Sequence, residues 1–158
     1  MSTNFYLQKR ITQADKDQLI DLINNDKWNE SRELLNELTE YIHIGKRASG
    51  WKFKWNAHKF KYFDPSKESL CEWLKSGIIH DEYGNEYSFE EFWKENESFI
   101  NDHTGYDLNK WYLEGHDRWF NIDYSQFMKP YEQYNLNINK YGEFYIDDLR
   151  FTIDSEWC

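Results

Sequence analysis

Residues 40–55 read Glu40-Tyr41-Ile42-His43-Ile44-Gly45-Lys46-Arg47-Ala48-Ser49-Gly50-Trp51-Lys52-Phe53-Lys54-Trp55, and the fold class turns on how they are taken. Successive side chains of a strand point to opposite faces, so strict alternation of apolar and polar residues marks a sheet with one buried face. Trp51 to Trp55 alternates without a break, which sets Trp51, Phe53 and Trp55 on one side and Lys52 and Lys54 on the other. Glu40 to Ile44 alternates as well, and Gly45 to Gly50 between them reads as a turn. The expectation is a basic, aromatic β-hairpin over residues 40–56.

Outward from this hairpin the pattern mixes short strands with capped helices. Asn4-Phe5-Tyr6-Leu7-Gln8 suits an opening strand. Thr12-Gln13-Ala14-Asp15 has the form of a capping box, with Asp in the place of Glu, and opens a helix to about Asn24 with Leu19, Ile20 and Ile23 inward. A second helix, from about Asp26 to Thr39, sets Trp28, Leu34, Leu35 and Leu38 on one broad face, so residues 12–39 form an inserted helical hairpin. Ser66 to Ser76, stopped by Gly77, is a short helix. Ile78–Asp81 and Glu86-Tyr87 flank a turn, and Ser88-Phe89-Glu90-Glu91 is a second capping box, opening a helix to about Ile100 with Phe89, Phe92, Trp93 and Phe99 inward. Residues 106–128 show no clean period. Tyr134–Asn139, Glu143–Asp147 and Leu149–Asp154 alternate as strands, with Lys140-Tyr141-Gly142 as a turn. The whole chain, 1–158, reads as one α+β domain: an antiparallel sheet, an N-terminal helical hairpin and two further short helices.

Composition narrows the function classes. The 31 aromatic residues outnumber the 26 Leu, Ile and Met, and valine is absent, so the core has to be aromatic. That richness excludes a disordered acidic tail despite a net charge of −10. The chain lacks a membrane-length apolar run, and Met1-Ser2-Thr3-Asn4 lacks the basic and apolar regions of a signal peptide, which implies a protein of the cytoplasm. The charge is unevenly placed. Lys46 to Lys61 carries six basic residues and no acid, while Asp81 to Asp107 carries nine acids against Lys94. A basic island in an acidic chain suits a small anionic ligand, or the protein's own acidic face or partner. Duplex DNA, which needs an extended basic surface, is disfavoured as a partner, and a membrane is not expected.

The same island holds the residues with the clearest ligand chemistry. Gly45 and Gly50 would let successive amides converge on an anion, Lys46 and Arg47 supply charge, Ser49 a hydroxyl and Trp51 a flat ring for a base. The order of a P-loop is absent. The structural alternative is an ordinary hairpin turn with a polar tip. In the same way Trp51, Phe53 and Trp55 read first as core and only second as a stacking platform for single-stranded nucleic acid. The five histidines (His43, His58, His80, His103, His116) show no metal-ligand spacing, so neither a metal nor another cofactor is expected. Cys71 and Cys158 form no disulfide framework, and no nucleophile motif is present. His43, beside the glycine, is the acid–base candidate if there is one.

Through His43-Ile44-Gly45-Lys46, Ser49-Gly50-Trp51 and Asp81-Glu82-Tyr83-Gly84, with Asn4-Phe5-Tyr6-Leu7 at the start, the chain resembles a family of small, uncharacterised, phage-encoded proteins. Many of that family carry a Cys-x-x-Cys pair suggestive of zinc where this chain has the helical hairpin 12–39, so no metal is carried over. The resemblance implies a phage origin and a host-cell cytoplasmic setting. With the basic loop it leads to a first expectation: an anti-defence protein that sequesters a nucleotide-like immune signal without catalysis. The ligand would be held by His43, Gly45, Lys46, Arg47, Ser49, Gly50 and Trp51, with Tyr83 as an outer contact. An acidic inhibitor or nucleic-acid mimic that binds a host defence enzyme is the alternative, and a hydrolase of the signal is the third. Opposed basic and acidic segments would also allow a homodimer.

Overall fold

In Asn4-Phe5-Tyr6-Leu7-Gln8 apolar and polar side chains alternate, and in the computed structural model this segment is the middle of β1 (Ser2–Lys9), with Thr3, Phe5 and Leu7 buried. The structure describes residues 2–48, 51–101, 128–139 and 142–153. β1 lies between β2 (Tyr41–Ala48) and β4 (Gly77–Asp81), antiparallel to both. The sheet continues to β5 (Glu86–Tyr87) beyond β4, and to β3 (Lys54–Asn56), β7 (Leu149–Thr152) and β6 (Glu143–Ile146) beyond β2, in the order β5-β4-β1-β2-β3-β7-β6. One pair departs from the expected antiparallel sheet: β3 and β7 run parallel, Trp55 beside Phe151. A parallel pair requires a long crossover, and the chain between Asn56 and Leu149 supplies one.

Among the described residues four α-helices accompany the sheet in the α+β domain: α1 (Gln13–Asn24), α2 (Trp28–Thr39), α3 (Lys67–Lys75) and α4 (Phe89–Asn101). Three of their starts follow capping signals in the sequence, while α2 begins after Lys27 with no side-chain cap. Thr12 Oγ1 accepts from the Asp15 amide while Asp15 Oδ2 accepts from the Thr12 amide, and Ser88 and Glu91 repeat the exchange at α4. Each such cap satisfies donors that the first turn of a helix leaves open, an effect of about 1 kcal/mol. Ser66 caps α3 through the Ser69 amide. The helix ends at its C-cap Ser76, as expected, and Gly77 then opens β4, where a Cβ would strike the Gln8 carbonyl oxygen.

α3 and α4 cover one face of the sheet. Leu70 and Leu74 of α3 and Phe92 and Ile100 of α4 enter one buried cluster with Phe5, Leu7, Ile44, Phe53, Trp55, Ile79, Phe144 and Phe151. Without valine, the packing between layers is done by ring edges: Phe92 meets Phe5 at 5.1 Å and 72°, and Phe53 meets Phe92 at 86°. Offset and edge-to-face pairs add about 0.5–1.5 kcal/mol each beyond the area they bury. Cys71 is half-buried on α3, and burial pushes its thiol above the usual range.

Two local expectations give way. Residues 129–134 form a short 3-10 helix opened by Pro130, so Tyr134–Asn139 is not a strand. The β6–β7 turn, between the two expected strands, is Asp147-Asp148, both at positive φ. Of the expected Lys140-Tyr141-Gly142 turn, Lys140 and Tyr141 lie outside the described residues, as do 102–127. α1 has no buried residue, and Ile20, Ile23, Trp28 and Leu35 of the helical hairpin are exposed rather than inward. Leu38 and Ser31 alone are buried there. Amphipathic period places apolar residues on a face; it does not supply an element to cover that face. Among the described residues no helix is long and apolar enough to cross a membrane.

Candidate functional site

The turn expected at Gly45–Gly50 is mostly strand. β2 runs unbroken to Ala48, pairing with β1 along its length and with β3 at Gly45 and Lys46. Its special feature is a bulge. Phe5 pairs with Gly45 but Tyr6 pairs with His43, so Ile44 is the extra residue. In a regular strand His43 and Lys46, three apart, would point to opposite faces. The bulge returns them to the same face, His43 beside Tyr6 and Lys46 beside Asn4, on the side away from α3 and α4.

Gly45 serves packing rather than an anion cradle. A Cβ there would run into the Lys54 carbonyl oxygen and stand 2.6 Å from the Phe53 ring, so glycine lets β3 and its aromatic residue close onto β2. Arg47 turns to the helix-covered face. Its Nη1 donates to Glu95 Oε1 at 3.2 Å and Asn96 Oδ1 at 3.1 Å, and its guanidinium lies between the Phe5 and Phe99 rings at 5.6 and 5.4 Å. Trp51 parts company with Phe53 and Trp55, which are core, and instead faces the Arg150 guanidinium at 5.4 Å. Ser49 and Gly50 lie outside the described residues. Tyr83 is exposed on the β4–β5 turn. Of the expected ligand residues, the described structure thus keeps His43 and Lys46 together and sends Arg47 elsewhere.

Around those two the second face of the sheet carries polar rows. One runs His80–Tyr6–His43 across β4, β1 and β2. The next runs Glu82–Asn4–Lys46, where Asn4 donates its amide and Nδ2 to Glu82 Oε1 and Oε2 at 3.3 and 3.0 Å. Lys46 stands directly opposite Lys54, a like-charge pairing that costs stability in a sheet. Lys54 is drawn to Glu143 at 3.6 Å, and Glu143 is held by Arg150 at 2.6 Å; both members of that carboxylate–guanidinium pair are buried. Lys46 forms no ion pair among the described residues.

The two histidines differ in surroundings and share one property: each has a buried Nε2 with no hydrogen-bond partner. Burial depresses the His43 pKa and the charge of Lys59 depresses it further; a hydrogen bond with the Gly45 backbone opposes them, Lys46 adds a smaller downward push and Glu82 a smaller upward one. Asn56 Nδ2 fixes the His43 carbonyl at 3.3 Å. His80 is 5% exposed, with Nδ1 4.0 Å from Glu86 Oε1. By contrast both ring nitrogens of His58 are engaged, at 2.6 Å with the Ile153 carbonyl and 3.1 Å with the Tyr131 hydroxyl, which makes it a clip between segments.

The Asp81-Glu82-Tyr83-Gly84 motif is mainly architecture. The Asp81 carboxylate accepts from the Tyr83 and Asn85 amides, Asn85 Nδ2 and the Tyr87 hydroxyl, all within 3.0 Å, and Gly84 takes φ of +87°. No group of three His, Cys, Asp or Glu residues among the described residues could hold a metal ion. No family model, curated protein or solved structure matches the chain. Sequence reasoning passed over Tyr6, Asn4 and His80 as site residues. The signal was present in the alternation of β1, which sends Asn4, Tyr6 and Gln8 away from the core that takes Phe5 and Leu7.

Proposed function

We propose that the chain is a binding protein that captures a small anionic ligand, nucleotide-like in chemistry, on the second face of its sheet and does not turn it over. The observation that carries this reading is the bulge at Ile44, which brings His43 and Lys46 side by side in a local field made positive by Lys46 and Lys59. An anion seated there would offset the Lys46–Lys54 repulsion and, by favouring the imidazolium, accept from a His43 Nε2–H that otherwise lacks a partner. Sequestration is favoured over catalysis by spacing. His43 and His80 stand two strands apart, roughly 10 Å at the usual interstrand distance, too far to act on one reacting atom. The resemblance to phage-encoded proteins makes a nucleotide signal of host defence the first ligand to try.

The test is calorimetric titration with a panel of linear and cyclic nucleotides. The expected result is saturable binding of at least one, weakened about tenfold in Lys46→Ala by loss of a charge-assisted contact, with the ligand recovered unchanged after heat denaturation. Arg47→Ala is expected to lower stability instead, because Arg47 is packed between rings on the other face. Absence of binding by every nucleotide, or a Lys46→Ala titration that matches the parent, overturns the reading. Appearance of a new product during incubation replaces it with hydrolysis.

A further inference from the structure

Beyond β1 from His43, the same face carries a cavity of opposite character. It has a volume of about 360 Å³ and is lined by Tyr6, Tyr41, His80, Glu82 and Glu86, with Gly84 at its turn. Asp81 also borders it, but its carboxylate is already committed to four hydrogen bonds of the β4–β5 turn. What remains open to a ligand is two carboxylates, two phenol rings and one imidazole. No Lys or Arg lines the cavity.

The residues arrive there for reasons of register. Tyr6 is the cross-strand neighbour of His80, and His80 that of Glu86, so β1, β4 and β5 each contribute one side chain to a single row. Tyr41, on β2, reaches across β1 to meet the His80 ring edge-on, 4.9 Å between centroids at 76°. Tyr41 itself is 54% exposed, so it can be reached from solvent. His80 Nδ1 lies 4.0 Å from Glu86 Oε1, and its Nε2 is buried and unpartnered. A buried polar atom without a partner is a cost that native proteins rarely leave standing.

We infer that this cavity is a binding site for an organic cation of the guanidinium or primary ammonium class. Such a group supplies several N–H donors at once: to His80 Nε2, to Glu86, and to the remaining lone pairs of the two Glu82 oxygens, each of which already accepts one bond from Asn4. Its charge sits against aromatic faces, an arrangement worth about 0.5–2 kcal/mol per ring depending on desolvation. The guanidinium or ammonium could come from a free small amine or from a side chain of another protein. The site uses none of the residues assigned to anion capture, so the two readings stand or fall separately.

The probes are agmatine, which carries both groups on a short chain, and a short peptide amide with a single central arginine. Each is titrated into the full chain at low ionic strength, by calorimetry and by the NMR signals of the His80 ring. Agmatine is expected to bind saturably in the micromolar to millimolar range and to shift the His80 ring signals. Glu86→Gln, at an exposed position, is expected to weaken it about tenfold, and Tyr41→Ala about two- to fivefold. Binding by the peptide as tight as by agmatine assigns the site to a protein side chain; binding by agmatine alone assigns it to a free amine. Failure of both probes to bind, unmoved His80 signals at saturation, or equal affinity in Glu86→Gln overturns the inference.

Discussion

Phe5 and Tyr6 are consecutive in β1, and they belong to two different surfaces. Phe5 is fully buried against Phe53, Phe92 and Tyr87 on the face that α3 and α4 cover. Tyr6 lies on the other face between two histidines whose Nε2 atoms have no partner. One face is packed by ring contacts, although the buried Trp55 Nε1 has no hydrogen-bond partner there. The other is polar, carries unmatched charge and is only partly covered. The difference teaches where to look: chemistry in this chain sits on the residues that strand alternation excludes from the core.

The comparison breaks first at Phe5. Phe5→Ala removes a fully buried ring from the contact between sheet and α4 and should cost about 3–5 kcal/mol in urea unfolding. Lys46→Ala, one residue pair away on the second face, should change stability by no more than about 0.5 kcal/mol. Comparable losses in the two variants would mean that the second face is also structural and would remove the basis for placing ligands there.

Much of the packed face was legible in the sequence. The Thr12/Asp15 and Ser88/Glu91 boxes, the β4–β5 turn and the Phe53/Trp55 pairing all follow from signals a few residues long. What was not legible depends on contacts distant in sequence. The parallel β3–β7 pair joins residues about a hundred apart and leaves no local trace. The helical hairpin shows a clean amphipathic pattern, yet Trp28 is 58% exposed, because period identifies a helix and says nothing of its cover. Trp51 looked like a third member of an aromatic stripe, but β3 begins only at Lys54, so alternation does not extend back to it.

Gly45 sharpens the comparison at its boundary, since the bulge there decides which face each neighbour joins. If the glycine were an anion cradle, alanine would impair binding and leave the fold nearly intact. The close approach of Lys54 and Phe53 predicts the reverse. Gly45→Ala should destabilise by about 1–3 kcal/mol through overpacking, read by thermal or urea unfolding, and should lower the yield of folded protein. An unfolding midpoint equal to that of the parent would show that β3 can move away from β2 at little cost, and the packing account of Gly45 would be wrong.

The smallest effect is the most informative about the polar face. His43 is placed below the ordinary 6.5 by burial and by Lys59 and Lys46. Between the lowered value and 6.5 the unfolded chain therefore binds more protons than the folded one, so stability rises with pH across that window. Its contribution is complete above pH 6.5 and is lost as pH falls through the folded value. Asp81 repeats the sign in a lower range. Burial alone would raise its carboxyl above 3.8, but hydrogen bonds from Asn85, Tyr87 and Tyr83 outweigh burial and hold it lower, so its contribution is lost only in stronger acid. The stability change at His43 is small, since the ring is only half-buried and solvent screens the nearby charges. The midpoint itself is read directly from the His43 ring signals in an NMR titration. It should fall below 6.5 in the free protein and rise when an anion binds, because negative charge next to the ring favours imidazolium. A midpoint above 6.5 in the free protein would mean that Glu82, not Lys46 and Lys59, sets the field at His43, and the anion would have lost its place on this face.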